Sequence, residues 1–173
     1  IDYSPMPQKL RKILIPLVII GLLAFLGFSL TQKPQAPAIN FVTLEGKTIP
    51  LSSLHGKMVL VNFWATDCPG CIAEMPGLIQ TYNEYKNKGF EVVAVAMSYD
   101  GIQQVINYSK NNALPFPVSH DSSGDAAQQF NDVRVTPTSF IIDKQGRIIQ
   151  KLIGELDFGS LRKLLDQQLG TAS

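Results

Sequence analysis

Cysteine is almost absent from this chain. Its 173 residues include two, both in the tetrapeptide Cys68-Pro69-Gly70-Cys71. That scarcity argues against a disulfide scaffold, because a structural bridge stabilises by closing a long loop and this pair would close a very short one. It also leaves half a zinc site without its other half. Structural zinc takes four ligands, and the two histidines, His55 and His120, are not paired in sequence. Charge is scarce as well, at 17% of residues against 45% hydrophobic. Before residue 39 stand Lys9, Arg11, Lys12 and Lys33 with Asp2 alone against them, so the remainder carries 11 basic and 13 acidic residues. It has no basic stripe, which excludes electrostatic support for nucleic-acid binding. Internal repeats and low-complexity tracts are also missing.

The surplus of apolar residues lies in one place. Residues 13–30 (ILIPLVIIGLLAFLGFSL) are uncharged. As a helix they would reach about 27 Å, close to the thickness of a bilayer core. Three basic residues precede the run and Lys33 follows it. The positive-inside bias therefore predicts a single-pass anchor with its N-terminus in the cytoplasm and the rest outside the cytoplasmic membrane. A cleaved signal peptide and a buried core helix are the competing readings. The long core and the poor cleavage site at Phe28-Ser29-Leu30 weigh against the first. The length and basic flank weigh against the second. The expected organisation is a cytoplasmic segment (1–12), an anchor (13–30), a polar, Pro-rich linker (31–38) and one globular domain (39–173).

Within that domain the pattern alternates. Asn40–Leu44 and Thr48–Leu51 flank Glu45-Gly46-Lys47 as a hairpin. Met58–Ala65 is a continuous apolar, β-rich run, as expected of a strand buried on both faces. Pro69 to about Lys88 has helical spacing, with a kink at Pro76 and a stop at Gly89. Then follow a strand at Phe90–Met97, a helix at Ile102–Asn111, a short strand near Val118, a short helix at Asp125–Phe130, a hairpin of Thr138–Asp143 with Arg147–Ile153, and a helix at Phe158–Leu169. This order predicts an α/β fold, a mixed sheet with helices on both faces.

The Cys-Pro-Gly-Cys sequence sits where a buried strand ends and a helix begins. A thiolate there is stabilised by the helix's unpaired N–H groups and dipole, which favours Cys68 as the attacking nucleophile. Two intervening residues let Cys71 reach Cys68 and resolve a mixed disulfide. Pro69 suits the first helical turn, where a missing N–H costs nothing.

VLVNFWATDCPGCIAEMP (59–76) and VTPTSFIID (135–143) together resemble the thioredoxin superfamily, most closely the membrane-anchored TlpA/ResA/CcmG-like thiol–disulfide oxidoreductases. The resemblance covers about Ile39 to Leu169. It implies a thioredoxin-like fold with an N-terminal hairpin and a central helical insertion between Phe90 and Val118. It implies Cys68 as nucleophile, Cys71 as resolving thiol and a redox-active disulfide between them. It implies Trp64 as an aromatic flanking the site and Pro76 as the residue kinking the active-site helix. Pro137 would be a cis-proline facing the dithiol, with Thr136 before it offering backbone hydrogen bonds to an extended substrate. Pro69 and Gly70 would complete the substrate-contacting rim, and Glu74 would be an acid near the dithiol. No cofactor or metal is expected. The implied partners are exported thiol or disulfide proteins, among them apocytochrome c and copper-site proteins, and a membrane thiol carrier of electrons.

Two positions depart from the pattern. Asn62 stands where cytoplasmic thioredoxins bury an Asp, which leaves Glu74 as the candidate for acid/base work on Cys71. Asp67 stands before Cys68 where the family usually has Trp, and a carboxylate beside a thiolate opposes the helix effect. Direction stays open between reductase and disulfide donor, because it depends on potential and partner. A copper metallochaperone would use the soft thiolates but usually spaces its cysteines by three residues and adds a His, for which only His120 is available. A thiol peroxidase would need Pro-x-x-x-Thr-x-x-Cys, which is absent.

Overall fold

The computed structural model describes residues 8–31 and 33–170. They fall into two units, Ile1–Lys33 and Pro34–Ser173. The first contains one helix, α1 (Gln8–Thr31), longer at both ends than the apolar run predicted. Residues 1–7, the rest of the expected cytoplasmic segment, lie outside the described residues. The large apolar side chains from Leu14 to Leu26 are exposed. Among the described residues no helix is long and apolar enough to cross a membrane. The side chains described in this run are those of 14–27, about 21 Å of helix against a bilayer core of about 30 Å.

The second unit is built on β3 (Met58–Trp64), whose seven residues are all buried. Such a strand must be covered on both faces and paired on both edges. It pairs in parallel with β4 (Phe90–Ala96) and antiparallel with β6 (Thr138–Ile142). With β5 (Val118–His120) and β7 (Ile148–Ile153) the order is β5-β4-β3-β6-β7, the mixed sheet expected. Alternation along β3 then divides the core. Met58, Leu60 and Trp64 face α2 (Pro69–Tyr85), α3 (Ile102–Asn111) and α5 (Phe158–Leu169), while Val59, Val61 and Phe63 face α4 (Asp125–Gln129) and the N-terminal segments. At Gly77 any Cβ would run into the Phe158 ring, so this glycine is what lets α5 lie close on α2. Pro76 stands inside α2 without ending it. The helix finishes in a turn of 3-10 helix, and Gly89 closes it at φ +101°.

The predicted hairpin forms as β1 (Asn40–Val42) and β2 (Thr48–Pro50). It continues the sheet beyond β5: Thr43 bridges Ser119, and the Leu44 N–H donates to the Val118 carbonyl at 2.9 Å. The linker is not a free tether. Gln35 bridges Arg147, the Ala36 N–H donates to Gly146 and the Ile148 N–H to Pro34, so 34–36 run along the outer edge of β7. The compact unit therefore starts at Pro34, before the Ile39 expected from composition.

Candidate active site

Register decides where the site is. Trp64, the last residue of β3, lies opposite Ala96, the last of β4, and Phe63 lies opposite Thr138, the first of β6. Thr138 in turn lies opposite Ile153, the last of β7. Connections 65–68, 97–101, 135–137 and 154–157 therefore meet at the same end of the sheet, and 121–124, after β5, leaves from there too. Cys68, Pro69, Gly70 and Cys71 are brought there by the first, and Thr136 and Pro137 by the third.

Cys68 is the N-cap of α2, with extended backbone (φ −95°, ψ 106°) and Pro69 at the start of the first turn. Its Sγ accepts the Cys71 N–H at 3.2 Å. The two cysteines form a disulfide with Cα atoms 5.2 Å apart. They are unequal in access: Cys68 is half-buried and Cys71 fully buried. Pro69 and Asp67 are exposed. Glu155 lies over Gly70 so closely that a Cβ there would stand 3.1 Å from its carboxylate oxygen.

Three residues along α2 from Cys71 and on the same face stands Glu74, only 3% exposed. A charge on a helix ordinarily faces water; this one faces the sheet. Its Oε1 accepts from Asn62 Nδ2 at 2.9 Å, and its Oε2 accepts the Leu156 N–H at 3.0 Å. Asn62 Nδ2 also donates to Ser139 Oγ at 3.0 Å, while Asn62 Oδ1 is buried without a partner. Burial pushes the Glu74 carboxyl above its ordinary 4.5; the bonds from Leu156 and Asn62 pull against this, and the negative charge of Glu155 adds to it. The arrangement is that of a carboxyl able to exchange a proton one turn below a buried sulfur.

The Thr136–Pro137 peptide bond is cis, and Pro137 is buried. The Pro137 carbonyl accepts the Gly154 N–H at 2.8 Å, and the Thr138 hydroxyl donates to the Val135 carbonyl at 2.8 Å. Tyr99 and Val135 stand exposed beside this loop, and the Tyr99 hydroxyl lies 3.3 Å from Thr136 Oγ1.

Trp64, expected as an aromatic flanking the site, has no exposed surface; it shares the buried cluster of Cys71, against which Cys68 packs, and its ring lies 5.3 Å from that of Tyr108. The even-numbered positions of β3 point to the α2 face, so its parity could have warned of this. Sequence reasoning missed Ser139, the Leu156 N–H, Glu155 and Asp100, each far along the chain from the cysteines. His120 is held by the Asp100 carbonyl and the Ser122 hydroxyl, 2.8 and 2.9 Å from its two ring nitrogens.

The family model that matches this chain is that of the AhpC/TSA family, over residues 33–151. The chain belongs to the AhpC/TSA family. Within it, the relatives share this site's chemistry by name. A thiol-disulfide oxidoreductase ResA of Bacillus cereus (strain ATCC 10987 / NRS 248) is 37% identical over 156 residues, 86% of this chain and 89% of that one. The crystal structure of a thiol:disulfide interchange protein from Chlorobium tepidum TLS superimposes with a TM-score of 0.74 at 30% identity, over 81% of this chain and 99% of that one. StoA from Bacillus subtilis superimposes at 0.64 with 28% identity, over 73% and 98%. This AhpC/TSA chain is thus a ResA-like thiol–disulfide oxidoreductase on a thioredoxin-like fold.

Proposed function

We propose that this oxidoreductase acts as a disulfide reductase outside the cytoplasmic membrane. One observation carries the mechanism: Cys68 is the accessible sulfur at the helix start, and Cys71 is fully buried one turn above Glu74. In the reduced enzyme the Cys68 thiolate attacks one sulfur of a substrate disulfide. A mixed disulfide forms and the first substrate thiol leaves. Cys71 then gives its proton to the buried Glu74 carboxylate and attacks Cys68 Sγ. The second substrate thiol leaves, and the enzyme holds the Cys68–Cys71 disulfide. Two electrons have passed from the dithiol to the substrate. A membrane thiol carrier returns them. Pro137 and Thr136 hold the substrate as an extended segment, with Pro69 and Gly70 as the facing rim.

The location rests on residues 13–30 and their basic flank, which support an anchor with the catalytic domain outside. Substrates are then exported proteins that need free thiols, such as apocytochrome c or copper-site proteins. Cys68→Ser abolishes disulfide reduction, and Cys71→Ser accumulates a mixed disulfide with the partner in native membranes. Failure to trap anything would overturn the attacking role of Cys68. A reduction potential near the about −120 mV of strongly oxidising dithiols would instead assign the donor direction. A membrane-impermeant thiol reagent that reaches Cys68 in intact cells supports the location, and one that reaches it only after lysis refutes it.

A further inference from the structure

The stretch that carries Cys68 out of the sheet has no regular structure of its own. The chain leaves β3 at Trp64 and enters α2 at Pro69. The bond that closes this turn, from the Cys68 N–H to the Ala65 carbonyl, is long at 3.3 Å. Much firmer ties come from a different loop. Asp100, between β4 and α3, is 6% exposed despite its place in a loop. One of its carboxylate oxygens accepts the Thr66 N–H at 2.6 Å and the other the Thr66 hydroxyl at 2.7 Å. Hydrogen bonds to an ionised acceptor are the strong ones. Asp100 is fixed in turn: its N–H donates to the Met97 carbonyl at 3.0 Å, and its carbonyl lies 2.8 Å from His120 Nε2. The Met97 N–H donates to the Trp64 carbonyl at 3.0 Å, so the loop is tied to the end of β3 itself.

We infer that Asp100 is a positioning residue for the attacking sulfur. Through Thr66, two residues before Cys68, it fixes the turn that presents Cys68 as the N-cap of α2 with its Sγ in reach of the Cys71 N–H. The inference rests on the reading of Cys68 as the attacking thiol. It is a claim about geometry, and the chemistry of Thr66 separates geometry from charge. An Asn at this place satisfies the same two groups, its amide oxygen accepting the Thr66 N–H and its NH2 donating to the Thr66 hydroxyl oxygen. An Ala satisfies neither.

The test uses the full chain with Cys71→Ser, reduced, and follows alkylation of Cys68 by iodoacetamide at neutral pH. Asp100→Ala slows the reaction about tenfold, the effect of losing a buried hydrogen-bonded anchor, and Asp100→Asn stays within about twofold of the parent. Amide exchange at Thr66 accelerates in the Ala variant alone. An Asn variant as slow as the Ala variant would overturn the proposal in favour of charge, and an Ala variant as fast as the parent would overturn it outright. If Asp100→Ala does not fold, Thr66→Val against Thr66→Ser carries the test: the Val variant slows and the Ser variant does not, and equal rates sink the idea. Alkylation at the parent rate in the Cys68→Ser protein, which keeps Cys71, would show instead that the attacking thiol was misassigned.

Discussion

Two buried carboxylates sit at opposite ends of this sheet and are pushed in opposite directions. Glu74, at the dithiol end, is 3% exposed; Asp143, in the turn between β6 and β7, is 5% exposed. Burial raises both. At Asp143 it is outweighed by the N–H of Arg147, the Arg147 guanidinium at 2.8 Å and the N–H of Gln145, and the carboxyl falls below its ordinary 3.8. Glu74 receives two neutral donors and has a second carboxylate, Glu155, nearby, so its carboxyl rises. Burial alone does not decide the state of an acid; the charge of its partners does. One end of the sheet holds a permanent anion that closes a hairpin, and the other holds an acid that can let go of its proton or take it back.

The sharpest test of that contrast is Glu74→Gln. It fits the site: Asn62 can turn its unpartnered Oδ1 toward the new amide and accept from both it and Ser139. Disulfide turnover falls about 100-fold, as expected when a general acid/base is lost, while the denaturation midpoint stays or rises. Unchanged turnover would remove Glu74 from the chemistry. Asp143→Ala does the reverse. It costs about 2 kcal/mol by leaving buried donors unpaired, read as a lower urea midpoint, and leaves the thiol reactions untouched.

The pH dependence separates the two acids without a change in structure. Glu74 holds its proton more tightly folded than unfolded. Its contribution to stability is complete below about 4.5 and is lost as pH rises through the folded value, a fall that Glu74→Gln abolishes. Asp143 contributes above about 3.8 and loses that contribution as pH falls through its lower folded value, and Asp143→Asn flattens this acid limb. Stability measured against pH in the three proteins checks both signs. The smallest effect belongs to Lys57→Ala. Its ion pair with Glu91 at 2.9 Å has a half-exposed lysine and is worth about 0.5 kcal/mol, lost in high salt.

The sequence made the frame legible because the frame is periodic. β3 reads as an apolar run and is buried throughout; α2 begins at Pro69 and closes toward Gly89 as its end signals require. The cysteine pair was legible from its place between these elements. Glu74 could be placed near Cys71 from their spacing of three on one helix. Its neighbours could not, since Leu156 supplies a backbone N–H 82 positions away and has no side-chain signature. Asp100 is similar: Ser98-Tyr99-Asp100-Gly101 reads as a turn, and nothing local says that its carboxylate reaches back 34 residues to Thr66. Residues 31–38 read as linker because composition reports polarity and proline content, while the backbone bonds of 34–36 to β7 depend on neither.

Those bonds also bear on how the sheet ends. An open sheet offers its outermost strands to any extended chain that comes near. Here the hairpin lies along β5, and residues 34–36 lie along the start of β7. The start of β7 is thereby closed to a further strand, and among the described residues none lies along the rest of its outer edge.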